Sequence, residues 1–361
     1  DLHELETVIQ LEGIFNDIQI SPEQISESEA QINVSVKEKI TFIPVPFAVY
    51  TGSSILAGGV VMDTNAFGQK HMFVLGGFFA STGKTGFASV SKAPNENGIP
   101  GVSLFFSGSV SEPEYSNFED EVVLKHKDNC FAIGITLSEK IGENFTFSNG
   151  FSFNSHDNSD NSDFEGLSPE AIKIGTMSLG LSYSKSDWNG IFMSTNSASV
   201  SADFGITNSD DKDLRYPMGF SFAIGEQHPI FTPRLRIYQK YSGYYGRNTH
   251  ISSYQGQSAA SVTILSNHFN ASHLIGGNLG LELAVKKFNW GMISIYSDYQ
   301  LVYTQDFNPL NLNGDYKFLH GPNGGARFYL AKIAFPAIAL GLSYNATQNY
   351  WKFSAAMGMT F

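Results

Sequence analysis

The last residues of the chain, "YWKFSAAMGMTF", sort by parity. Trp351, Phe353, Ala355, Met357, Met359 and Phe361 share one set; Lys352, Ser354, Ala356, Gly358 and Thr360 share the other. Successive side chains of a strand point to opposite faces, so this period of two marks a strand with one apolar and one polar face. The same alternation recurs from near residue 40 to the end. In "NLGLELAVKKF", Leu279, Leu281, Leu283 and Val285 oppose Gly280, Glu282, Ala284 and Lys286. In "AIALGLSYN", Ile338, Leu340, Leu342 and Tyr344 oppose Ala339, Gly341, Ser343 and Asn345. Leu235 and Ile237 oppose Arg234, Arg236 and Tyr238, while Ala326, Phe328 and Leu330 oppose Arg327 and Tyr329. Counting such segments gives about sixteen strands, with about twelve to fourteen as the lower count, each near the length that crosses a bilayer when tilted.

Two arrangements satisfy this pattern. A soluble antiparallel sheet turns its apolar face toward a second layer. A membrane barrel turns it outward to lipid and keeps small and charged residues inside. The chain supplies little for a second layer: Leu2, Leu5, Val8 and Ile9, ending near Gly13, form the only convincing helical spacing. Charged residues are 16% of the chain, and 30 Phe, 16 Tyr and 35 Gly suit strands and tight turns. Short links alternate with long polar ones, at Glu112 to Asn129, His156 to Glu165 and Gly246 to Ala271, as in outer-membrane barrels. The longest apolar run, Ile333 to Leu342, is too short for a spanning helix and contains Pro336. The fold expected is all-β: a transmembrane antiparallel β-barrel over residues 41–361, preceded by a short helix-and-strand segment over 1–40.

The same residues exclude several functions. A net charge of -12 argues against nucleic acid as a partner. A single cysteine, Cys130, excludes an internal disulfide and a Cys-based zinc site. No GxSxG or HExxH spacing occurs, so neither an enzyme nor a cofactor is expected. Asp157, Asp160 and Asp163, with Glu165, are a weak candidate for a Ca²⁺ site; their spacing is not that of an EF-hand, and a solvated polar loop is the plainer reading. The opening "DLHELETV" has no basic start and no apolar core, so a signal peptide is not part of it.

Several stretches carry a resemblance. "GPNGGARFYLAKIAFPAIALGLSYN" followed by "YWKFSAAMGMTF" resembles the last three strands of the Omp85 superfamily, the bacterial surface antigen D15 type of barrel. "LIGGNLGLELAVKKFNWGMISIYSDYQ" resembles the strand pair after that family's long inserted loop, and "GGVVMDTNAFGQKHMFVLG" its first hairpin. "LEGIFNDIQI" and "QINVSVKEKI" resemble the back half of a POTRA module, so the resemblance implies a member lacking a full POTRA array. It also places an inward acidic residue at Asp298 and a lumenal loop whose tip falls near Ser261 to Leu265, here without the family's Arg-Gly-aromatic tripeptide. Arg236, Arg247 or Arg327 is left to pair with Asp298 or Glu282, because an unpaired buried carboxylate is costly.

The resemblance implies an integral protein of a Gram-negative outer membrane, with a role in protein or lipid transport or assembly. Assembly members of the family are thought to act through a weak lateral seam between first and last strands. Pro44 and Pro46 in "FIPVPFAVY" of the first strand, with Trp351, Phe353 and Phe361 of the last, mark the expected seam, since proline is confined to strand edges and bulges. The terminal Phe361 resembles an outer-membrane sorting signal. Outer-membrane lipids are the expected partners, with a homodimer or a separate periplasmic protein as further candidates. A porin-like channel and a surface-antigen barrel are the alternatives.

Overall fold

The computed structural model describes residues 15–26, 30–38, 41–50, 54–95, 98–161, 163–164, 167–188, 191–306, 314–330 and 336–357. The helical spacing of the first thirteen residues, Glu165 and Phe361 lie outside these. Strand β1 (Phe15–Gln24) pairs antiparallel with β2 (Ala30–Glu38) in a two-stranded sheet of its own.

The barrel begins at β3 (Phe42–Tyr50), β4 (Ile55–Ala66), β5 (His71–Ala80), β6 (Gly83–Lys92) and β7 (Gly101–Ser111). A short β8 (Glu114–Ser116) caps β9 (Val122–Ile141). Then follow β10 (Phe145–Asp160), β11 (Ile172–Trp188), β12 (Met193–Thr207), β13 (Met218–Ile230) and β14 (Thr232–Arg247). Two two-residue strands, β15 (Gln255–Gly256) and β16 (Asn270–Ala271), pair within one loop. The chain ends with β17 (His273–Phe288), β18 (Gly291–Gln305), β19 (Tyr316–Leu330), β20 (Ile338–Asn345) and β21 (Tyr350–Met357). Among the described residues sixteen of these strands close into one antiparallel barrel, in which β21 meets β3. Closure gives every spanning strand two neighbours, which satisfies backbone groups that lipid cannot. No described helix is long and apolar enough to cross a membrane.

The faces run opposite to those of a soluble protein. Along β17, Leu281 is 47% exposed while Glu282 is fully buried. Along β21, Trp351 is 65% exposed and Lys352 is buried. Phe151, Phe220, Leu279, Ile295 and Leu340 likewise stand outside. Large apolar side chains on the outer wall and charges inside make a wall built for lipid.

Three stretches read as long polar loops differ. Strand β9 already begins at Val122, and β10 continues through His156 to Asp160. Period-two polarity fades there because both faces carry polar groups: Lys125 and Lys127 alternate with His126 and Asp128. The third stretch, after Arg247, turns into the lumen. Its Ala260, Val262, Ile264, Leu265, Phe269 and Ala271 form the largest apolar cluster, with Phe118, Leu274, Val302 and Leu319.

Candidate functional site: a plugged lumen beside the barrel seam

The inward parity of β14, β17, β18 and β19 stacks one polar row across the wall. Arg236 lies opposite Glu282 in the register, and Ser294 lies opposite Arg327. Both arginines converge on Glu282. Arg236 Nη2 donates to Glu282 Oε2 at 2.7 Å and its Nε at 3.2 Å; Arg327 Nη1 donates to the same oxygen at 2.6 Å. Tyr329 Oη donates to Oε1 at 2.8 Å, and Ser294 Oγ donates there too. Both guanidinium groups are also held by rings, Arg236 over Phe192 at 4.4 Å and Arg327 over Tyr296 at 3.9 Å. A carboxylate with this many donors keeps its charge at full burial.

Asp298 is bound differently, by neutral donors. Tyr238 Oη donates at 2.7 Å, Asn323 Nδ2 at 2.9 Å and Gln300 Nε2 at 2.8 Å. Gly280 makes the room for this: a Cβ there would stand 2.6 Å from the Asp298 Cβ and 2.6 Å from the Tyr238 ring. Arg247 is not in this group. It ends β14 exposed, opposite Met218.

The lumenal loop is caught at the segment Ser261 to Leu265, mostly through its backbone. Gln300 Oε1 accepts the Thr263 N–H at 2.6 Å, which links the loop tip to Asp298 through one amide. Asn278 Nδ2 donates to the Ser261 carbonyl at 2.6 Å. Tyr350 Oη and Asn345 Nδ2 both donate to the Ile264 carbonyl, at 2.7 and 3.2 Å. Lys352 Nζ donates to the Leu265 carbonyl at 2.9 Å and to Gln257 Oε1 at 3.0 Å. Ser261 itself sits at φ 54, a left-handed turn. An arginine is absent from this tip, and side chains of the wall reach its main chain instead. Gln300, Asn345, Tyr350 and Lys352 were not singled out as loop contacts from the sequence; their signal was only their inward parity.

At the seam, Ala48, Val49 and Tyr50 of β3 face Met357, Ala356 and Ala355 of β21 among the described residues. The rings of Tyr50 and Phe353 meet on the outside with centroids 6.2 Å apart. Pro44 and Pro46 lie within β3, two apart, so their missing donors fall on one edge of the strand. Pairing with β4 continues through both positions. Trp351 and Phe353 stand on the lipid side. The aspartates Asp157 and Asp160 occupy opposite parities of β10, and Asp160 Oδ1 accepts the Ser168 N–H at 3.2 Å. Asp163 is exposed beyond the strand, and among the described residues no cluster of metal-binding side chains forms.

No family model and no curated protein matches the chain. Solved structures do. BamA from Haemophilus ducreyi lacking POTRA domains 1-3 superposes with a TM-score of 0.67 at 12% identity, over 99% of this chain and 78% of that one. CdiB from Acinetobacter baumannii gives 0.68 at 13% identity, over 98% and 67%. CdiB from Escherichia coli gives 0.64 at 12% identity, over 95% and 68%. At such identities the likeness is one of fold: the chain shares the closed antiparallel barrel of these outer-membrane structures.

Proposed function

We propose that the chain works in the outer membrane of a Gram-negative bacterium as a transport or assembly barrel, opening laterally between β3 and β21. The observation that carries this reading is the seam. Its first strand has two prolines on one edge. A proline cannot donate to a ladder, so an edge that carries two parts more easily than a fully bonded one. The plug supports the same reading, because Tyr350 and Lys352 bind it from the seam strand itself. Strand opening and plug release then share the same contacts. The segment before Phe42, with its β1–β2 hairpin, is assigned to the periplasmic side, where the first barrel strand begins.

The test is a tether. Val49 and Ala356 are direct partners across the seam. Cysteines at both, in a Cys130→Ala background, form a bridge that holds β3 to β21. Secretion or insertion activity, assayed in cells depleted of the native chain, should stop when the bridge is oxidised and return on reduction. Full activity in the oxidised protein sinks lateral opening. Steady open-pore conductance of the untethered chain in planar bilayers favours a solute channel instead.

A further inference from the structure

A second polar group lines the lumen away from Glu282, where β9 and β10 rise toward the long loops. Asp128 and Cys130 share the inward face of β9, and His156 faces Cys130 directly across the ladder. His156 Nδ1 lies 2.9 Å from Asp128 Oδ2, and His156 Nε2 lies 3.8 Å from Cys130 Sγ. The ionised carboxylate can only accept, so it holds a proton on Nδ1 and leaves Nε2 set against the Cys130 sulfur. This is the order orienting acid, base, nucleophile.

The surroundings ask for a guest. His126 is 1% exposed and Asp128 is 8% exposed, yet His126 Nδ1 and Asp128 Oδ1 have no hydrogen-bond partner. Buried polar atoms without partners are rare and costly, and mark where a polar molecule sits. Above them the His250 ring, from the lumenal loop, lies 6.4 Å from that of His156. Burial, with His156 and His126 nearby, pushes the pKa of His250 down to about 4, so the roof is a neutral imidazole. Tyr115 stacks on His126 at 5.8 Å and closes the side.

We propose that Asp128, His156 and Cys130 form a nucleophilic thiol site on the lumenal wall, which takes a small polar disulfide into a mixed disulfide with Cys130. The thiol proton resides on His156 in a thiolate–imidazolium pair, and the thiolate sulfur attacks one sulfur of the guest. A bond forms between Cys130 Sγ and that sulfur, the guest's own S–S bond breaks, and the leaving thiolate takes the proton back from His156. Cys130 is oxidised and the released half of the guest is reduced, so no other reagent is needed. Exchange of this kind requires a thiolate, its base and access, and no separate pocket for a developing oxyanion. Cys130 is half-buried, on the inward parity of β9.

Because the chain has one cysteine, the reaction is read without ambiguity. The folded full chain in detergent micelles is mixed with 2,2′-dithiodipyridine at pH 7, and release of pyridine-2-thione is followed. One thione per chain is expected. The rate should fall at least tenfold in His156→Gln and severalfold in Asp128→Asn, while His228→Gln, at an exposed histidine of β13 outside the patch, stays near the parent rate. Barrel integrity is checked in each variant by the gel shift between heated and unheated samples. Equal rates in the parent, His156→Gln and Asp128→Asn overturn the proposal, and so does a folded parent that releases no thione.

Discussion

Glu282 shows how much one inward residue can be asked to hold. It is fully buried, shares one oxygen between two guanidinium groups and accepts two hydroxyls on the other. Removing one member of such a group leaves the rest charged and dry, which costs about 3–5 kcal/mol. Glu282→Gln should therefore lower the unfolding free energy of the barrel in vesicles, read from urea transitions followed by tryptophan fluorescence, by an amount of that order. The exposed pair of Lys317 and Glu119, at 3.4 Å, is the control: Glu119→Gln should change stability by less than about 1 kcal/mol. Asp298 was the acid singled out by resemblance, and the arginines went instead to Glu282. Parity put Glu282, Arg236 and Arg327 on the inward face and resemblance added Asp298, but neither chooses among partners that share a face. The choice follows from register, which sets Arg236 beside Glu282.

At the scale of elements, the lumenal loop and β21 act on one another. The loop tip has no charged side chain, so its hold depends on main-chain groups met by Gln300, Asn345, Tyr350 and Lys352 and on the apolar cluster around Ile264 and Phe269. Replacing residues 251–268 with a short Gly-Ser link should leave a folded barrel and open a conducting path. Planar bilayer recordings check this: the parent chain should be silent and the deletion variant should show steady steps of current. A deletion variant as silent as the parent would mean that something other than this loop closes the lumen. From the sequence this stretch reads as a long loop, and resemblance places its tip near Ser261. What it packs on was not legible, since its contacts come from residues as distant in the chain as Phe118 and Tyr350.

For the whole molecule the decisive question is which side faces out. A soluble protein tolerates arginine at a half-exposed leucine, whereas a lipid-facing site near mid-membrane does not. Leu281→Arg should cost about 2–4 kcal/mol in bilayer-inserted protein, read from the same urea transitions. The adjacent inward Gly280 is sensitive for another reason, the close approach of Asp298 and Tyr238. Little change in Leu281→Arg would contradict a lipid-facing wall.

The sequence by itself determined the strands, their two faces and, with few charges and hardly any helix, the membrane barrel. These follow from local alternation, which each segment carries alone. The same rule put Glu282, Arg236 and Arg327 on the inward face, while Asp298 came from resemblance alone. Only the tertiary structure decided that two arginines share Glu282, that the long loop enters the lumen, and that Asp128, His156 and Cys130 align on neighbouring strands. Each of these depends on register between strands, and register is a property of the closed sheet that no single segment encodes.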